Sequence, residues 1–287
     1  MRRAFSALFG RFFARAYLSD CHNFVWFTPL DGPVHLISHR LRVRSGRPRQ
    51  DLPDWICASR VHLALAEAKG VRSGNRLTPH SQPAPIRQAI KQLQNCRVSI
   101  LDRRTGNWVD RKVKGWAVLN QWSFQSSNRE PFLFVVDPET DGESLASDDL
   151  PVLIRAVARG HVAGLFRGLR LFDIATSMPF EPGRYREDIS MLSSLSVPHV
   201  SVSVASLHDI RAIGRLFRSN PGDPFARLFG EEIFVGVQND IIEDLRIDSD
   251  AIPTVVEPQF LPSEGVIRGP DGLIVARHTA VTPLDEG

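Results

Sequence analysis

Cysteine is scarce in this sequence. The 287 residues hold three, Cys21, Cys57 and Cys96, widely spaced and without a C-x-x-C pair. That argues against a disulfide framework or a zinc site and fits a reducing compartment. Lysine is scarcer still for a chain of this size: Lys69, Lys91, Lys112 and Lys114 stand against 31 arginines, a bias that points to a GC-rich, bacterial genome. No apolar run approaches the roughly 18 to 20 residues needed to cross a bilayer, so the expectation is a cytoplasmic protein that does not enter a membrane. Walker loops, G-x-S-x-G elbows and G-x-G-x-x-G fingerprints are absent too, which leaves no basis for a hydrolase elbow or a nucleotide cofactor. The nine histidines show no metal-ligand spacing.

What is present is unevenly spread. Residues 1–130 carry 22 Lys+Arg and 8 Asp+Glu, while residues 131–287 carry 13 and 24. The small net charge of +3 therefore hides a strongly basic front and an acidic remainder. All five tryptophans, Trp26, Trp55, Trp108, Trp116 and Trp122, lie in the basic part. A basic surface suits a polyanion, because Lys and Arg contacts to phosphate supply most non-specific nucleic-acid affinity. The other reading of the same asymmetry is that the two halves neutralise each other.

Apolar content of 43% is that of a globular chain long enough for one large domain or two modest ones. Residues 4–17 place Phe5, Leu8, Phe9, Phe12, Phe13 and Tyr17 at helical spacing among arginines, with no acid. Such a start fits a mitochondrial transit peptide or a first helix packed on a sheet, and the helix is the reading taken. Phe24 to Phe27 and Val34 to Ile37 read as strands around a turn at Asp31-Gly32-Pro33. Residues 40–51 read as a basic, turn-rich connection. Trp55 to Cys57 and the run from Val61 to Lys69, closed by Gly70, read as strands, followed by a polar loop over 71–83. A helix opens near Pro85, and Ile86, Ala89, Ile90 and Leu93 give it an apolar stripe. Strands follow at Arg97 to Leu101, Gly115 to Leu119 and Phe132 to Val136. The acidic part is expected to hold a helix capped near Ser147, a strand over 200–204, a helix over 206–218 opened by a Ser206…Asp209 capping box, a strand over 233–237 and a hairpin turned at Gly269-Pro270-Asp271-Gly272. The order of elements is that of a mixed α/β layer structure.

One stretch carries chemistry. Pro53-Asp54 is followed, twelve residues on, by Glu67-Ala68-Lys69 at the end of an apolar strand. Side chains alternate along a strand, so Leu63, Leu65, Glu67 and Lys69 share one side and Ala64, Ala66 and Ala68 the other, where a helix could approach closely. A carboxylate and an ammonium that project together suit a reaction better than a core. The pattern Pro53-Asp54…Glu67-x-Lys69 resembles the PD-(D/E)xK, or restriction-endonuclease-like, nuclease superfamily, and the element order fits that family over about residues 1–140. The resemblance implies a mixed central sheet flanked by helices, with Mg²⁺ or Mn²⁺ held by Asp54, Glu67 and the carbonyl of Ala68. Lys69 would orient or activate the attacking water. A polar residue on the following helix would be Gln88 or Gln92, and Arg72, Arg76, Arg87 and Lys91 are the candidates for phosphate contacts.

The resemblance further implies a nuclease-like domain over residues 1–144, acting on nucleic acid, DNA first, in mobile-element or phage-defence biology. An acidic accessory α/β region would follow over 145–287. The accessory region could take a partner protein, and a homodimer would suit cutting of both strands. Many active members carry a further acid on the first helix; residues 4–17 have none, and Asp20 is the nearest substitute. Two rival readings stay open: a DNA-binding or scaffold subunit without chemistry, and an interaction protein whose basic half docks on its acidic half. Asp110-Arg111-Lys112 is a second acid-x-Lys, but it follows a polar turn rather than an apolar strand and is read as part of a basic hairpin. Pro270-Asp271 sits between glycines and is read as a turn. His62 falls on the strand face opposite Glu67, and His80 in the loop after the motif.

Overall fold

Helix α1 (Arg2–His22) meets the sheet through its smallest residues. In the computed structural model, which describes residues 2–47, 50–72, 82–102, 104–122, 131–138, 149–178, 196–217, 232–247, 249 and 251–284, the chain is mixed α/β. It divides into two units, Met1–Val157 and Ala158–Gly287, with the division inside helix α3 (Leu150–Gly168). The composition shift near 145 lies upstream of it.

Unit 1 is built on a five-stranded sheet in the order β1 (Trp26–Pro29), β4 (Trp55–Ala58), β5 (Leu63–Arg72), β8 (Lys114–Trp122) and β9 (Phe132–Val136). All pairs are antiparallel except the central β5–β8 pair, which is parallel. Parallel neighbours need a long crossover. Here it contains α2 (Ala84–Gln94) and the hairpin of β6 (Cys96–Leu101) with β7 (Trp108–Arg111). That hairpin joins β2 (Val34–Ser38) and β3 (Leu41–Ser45) in a second, four-stranded sheet ordered β2-β3-β6-β7.

Both α1 and α2 pack on the central pair β5–β8, one on each face. Ala14 and Leu18 of α1 cluster with Ala64, Ala66 and Val118, so α1 lies on the alanine face. Helix α2 takes the other face and buries Ile86, Ala89 and Leu93. It begins with Pro83 at its N-cap and Pro85 in the first turn, where a missing N–H costs nothing. It ends at Asn95, whose side-chain amide donates to the Lys91 carbonyl at 2.7 Å.

Three expectations are corrected. Residues 40–51 contain strand β3 rather than a turn-rich connection. Leu41 and Val43 are buried between Arg42 and Arg44, so an alternating basic strand had the composition of a loop. The apolar stripe of α1 faces solvent: Leu8 and Phe12 are more than half exposed and Phe9 and Phe13 over a third, while Ser6, Gly10, Ala14 and Leu18 are buried. The reason is backbone proximity. A Cβ on Gly70 would lie 1.6 Å from the Ser6 carbonyl oxygen, and one on Gly10 would lie 2.6 Å from the Gly70 nitrogen. Large side chains cannot enter such a contact, and Gly70 does not close the strand but lets α1 cross it.

The third correction is in unit 2. The helix expected over 206–218 is not formed by the described residues 206–217: a 3-10 turn over Ala205–Leu207 leads into β11 (Ile210–Phe217). His208 and Asp209 take positive φ, and Asp209 accepts a hydrogen bond from the Ser203 hydroxyl at 3.3 Å instead of belonging to a capped helix. Strand pairing on both sides of β11 outweighs the local capping signal. It lies in a seven-stranded antiparallel sheet ordered β13 (Gln259–Leu261), β14 (Val266–Arg268), β15 (Leu273–Arg277), β12 (Ile233–Gln238), β11, β10 (Val200–Val204), β16 (Thr282–Pro283). The helices α4 (Phe172–Ser177) and α5 (Asn239–Arg246) belong to this unit. The expected turn at 269–272 does join β14 to β15, whereas Ser147 lies outside the described residues. Among the described residues no helix is long and apolar enough to cross a membrane.

Candidate active site

Strand β4 begins at Trp55, opposite Ala66 of β5. From Glu67 onward the edge of β5 that faced β4 therefore has no strand partner among the described residues, and Pro53-Asp54 stands there instead. The register carried two residues further sets Pro53 opposite Ala68, and proline has no N–H to give to β5. The Asp54 carboxylate serves this edge: the Ala68 N–H donates to Asp54 Oδ2 at 2.8 Å. In return the Asp54 N–H donates to Glu67 Oε2 at 2.9 Å. Each acid is thus anchored through one oxygen by a main-chain N–H.

The remaining oxygens meet cationic side chains. Glu67 Oε1 pairs with the Lys69 ammonium, two residues along the same strand face. Asp54 Oδ1 receives Arg11 of α1, whose Nε lies 2.9 Å away and whose Nη2 also contacts it. The acids are the enclosed members, with side chains 10% (Asp54) and 4% (Glu67) exposed against 59% for Arg11 and 25% for Lys69. Loss of water and the neighbouring Asp54 charge push the Glu67 carboxyl up to about 7, against the opposing pull of Lys69. Two carboxylates held side by side in a dry setting are a strained arrangement, the kind functional sites keep.

The donor set fits a hard divalent cation: each acid keeps one oxygen off the main chain, Asp54 Oδ1 and Glu67 Oε1, and the charges are like and adjacent. Among the described residues no group of three or more His, Cys, Asp or Glu could hold a metal. A cation at this pair would draw its further ligands from a main-chain carbonyl, that of Ala68 being adjacent, and from water.

The helix residues divide. Gln92 donates through Nε2 to the Leu52 carbonyl at 2.6 Å, so it fixes the segment that delivers Pro53 and Asp54 rather than the reacting atoms. Gln88 is exposed and does not join the group. Arg87 and Lys91 are exposed on α2, with the Arg87 guanidinium donating to the Gln82 carbonyl. Arg76, His80 and the side chain of Arg72 lie outside the described residues, and His62 is exposed. Asp20 is exposed, nine residues after Arg11 and so roughly 13 Å further along α1; it is not the missing helix acid.

Other candidates are accounted for by the fold. Asp110 accepts from the Ser99 hydroxyl at 2.7 Å and pairs with Arg44 at 2.7 Å; partial burial works against its charge, but these partners hold it below the usual carboxylate range. Burial pushes the Cys57 thiol far up and the Cys96 thiol up to about 12, which disfavours the thiolate at both.

One site residue was missed. Arg11 was visible only as one of several helix arginines; its place follows from the Gly10–Gly70 crossing, which puts it beside the edge of β5. No family model matches this chain, and neither does any curated protein or solved structure.

Proposed function

We propose that unit 1 is a Mg²⁺- or Mn²⁺-dependent nuclease of the restriction-endonuclease-like kind that hydrolyses phosphodiester bonds, in DNA first of all. The observation that carries this reading is the pairing of Asp54 with Glu67. Each is tied by one oxygen to the main chain and has its other oxygen on a cationic side chain, Arg11 for Asp54 and Lys69 for Glu67. The mixed sheet with α1 and α2 on its two faces is the setting that the Pro53-Asp54…Glu67-x-Lys69 resemblance implies.

Asp54 and Glu67 would hold the cation with the Ala68 carbonyl. When bound, it lowers the pKa of a coordinated water and neutralises charge on the scissile phosphate. Lys69, a compact cation a quarter exposed, orients that water and steadies the developing charge. Gln92 keeps Asp54 in register by gripping Leu52. Arg87 and Lys91 on the exposed side of α2, with the basic composition of residues 1–130, attract the polyanion.

The test is cleavage of linear and circular DNA, single- and double-stranded, by the purified full chain in Mg²⁺, Mn²⁺ or EDTA, beside Asp54→Asn. Cutting in either cation is expected, with none in EDTA and none by the variant. The rival reading, a DNA-binding subunit without chemistry, draws on the pairing of both acids with Arg11 and Lys69. It takes over if the folded wild-type protein binds DNA and cuts nothing under any of these conditions.

A further inference from the structure

We infer that Arg11 is an exchangeable counter-charge, which holds the outward oxygen of Asp54 while no divalent cation is bound and passes to a substrate phosphate once one is. The inference rests on the metal-dependent reading above and goes beyond it by giving α1 a part in the site.

Four observations lead to it. First, the division of labour among the carboxylate oxygens is complete. Asp54 Oδ2 and Glu67 Oε2 take main-chain N–H groups, whereas Asp54 Oδ1 and Glu67 Oε1, the oxygens a cation would use, are held by Arg11 and Lys69. Secondly, the charges balance: two carboxylates against one guanidinium and one ammonium. A divalent cation taking their place restores neutrality at the acids and leaves two side-chain cations facing whatever anion enters. A phosphodiester is an anion of the right kind, and the planar guanidinium fork matches its geometry.

Thirdly, the partners differ in freedom. Asp54 is nearly enclosed and pinned at both its N–H and its carboxylate, while the Arg11 side chain is 59% exposed, its guanidinium 6.0 Å from the Trp55 ring centroid. An ion pair with so exposed a member is weak, so giving it up should cost a cation no more than a factor of about five in affinity. Fourthly, the helix itself is not free to move away. Gly10 and Gly70 hold α1 against β5 at backbone contact one residue from Arg11 and one from Lys69. Exchange is therefore a side-chain swing about a fixed Cα. An arginine here, and no acid, is consistent with a site whose first helix serves the substrate and not the metal.

The experiment titrates the full chain with Mn²⁺ alone, following free Mn²⁺ by electron paramagnetic resonance, for wild type, Arg11→Ala, Arg11→Gln and Asp54→Asn. Circular dichroism confirms that each variant is folded. A short DNA duplex is then bound in Ca²⁺ and in EDTA over a range of salt. Both Arg11 variants are expected to bind Mn²⁺ measurably more tightly, by up to about fivefold. They should also lose about one phosphate's worth of salt dependence, a slope change of about 0.9, in Ca²⁺ but not in EDTA. Mn²⁺ affinity unchanged or weakened in both Arg11 variants overturns the inference, as does a slope change that ignores the cation. If Asp54→Asn binds Mn²⁺ as wild type does, the metal reading falls instead; loss of Mn²⁺ in that variant with inert Arg11 variants removes the Arg11 inference alone.

Discussion

Glu67 of β5 and Asp271 of the β14–β15 turn are both buried carboxylates, with side chains 4% and 3% exposed. They are buried in opposite ways. In unit 2, Asp271 Oδ2 lies 2.8 Å from Nε2 of His161 on α3, itself 2% exposed, and Asp271 Oδ1 takes the Leu273 N–H at 3.2 Å. Acid and base face one another and both are closed to solvent. In unit 1, Glu67 is buried beside a second acid, and the cations that offset the pair are the exposed members. A closed acid–histidine pair ties distant segments together, here residues 110 positions apart. Two crowded acids with removable counter-charges hold a cost that a bound ion can relieve. Burial alone does not distinguish the two acids; the difference is that Glu67 is buried against a second acid whose counter-charges are the more exposed partners.

The largest expected effect that would sharpen this contrast lies in unit 2. Asp271→Ala or His161→Ala leaves a buried polar partner behind and should lower stability by about 3–5 kcal/mol, seen as a shift of the urea midpoint. Cleavage per folded molecule should stay at the wild-type level, and a drop in it would make the pair part of the chemistry. In unit 1 the comparable structural cost falls on a glycine. Gly70→Ala places a methyl 1.6 Å from the Ser6 carbonyl oxygen, and the displacement of α1 should cost about 3 kcal/mol by denaturation. A tolerated alanine there would mean that α1 is not held as described.

Glu67 offers a test of the opposite sign. Its carboxyl is pushed up to about 7 in the folded chain, above its value when unfolded, so its contribution favours folding at low pH and is lost as pH rises toward and past 7. Glu67→Gln should therefore raise Tm at pH 8 by roughly a few degrees, with the gain vanishing near pH 4 to 5. Since the cation needs the ionised form, Mn²⁺ affinity of the wild type should climb as pH passes through about 7 and then level off. A flat profile would refute the strained-acid description. The smallest effect is expected at Gln92, where alanine removes the bond to the Leu52 carbonyl. That should cost about 1 kcal/mol and show as a modest loss of metal affinity with the metal-free fold intact.

Much of the site was legible because it lies on contiguous, alternating chain. Asp54, Glu67 and Lys69 are fixed by the β4–β5 register, the alanine face of β5 announced a close helix, and the stripe of α2 placed its buried side. What could not be read depends on partners far away in sequence. The exposed aromatic stripe of α1 obeys helical period perfectly well; only the Gly10–Gly70 contact shows that the helix packs by its small side and carries Arg11 to Asp54. Strand β3 alternates leucine and valine with arginine, a pattern that resembles a basic loop until β2 and β6 pair with it. Ser206 and Asp209 satisfy a helix-cap rule that the β10–β11–β12 ladder overrides. The His161–Asp271 pair had no local signal at all, since Asp271 was visible only as a turn residue between glycines.

The measurement that tests the central claim most directly compares wild type with Lys69→Ala in Mg²⁺, reading DNA cleavage and DNA binding from the same preparations. The ammonium is removed from a partly exposed position, so the fold should survive and DNA affinity should fall by no more than one phosphate contact, while cleavage falls by at least about a hundredfold, the scale of a proton-handling or charge-stabilising group. Equal cleavage by the two proteins, or none by either while both still bind DNA, would contradict the account of Asp54, Glu67 and Lys69 as one catalytic group.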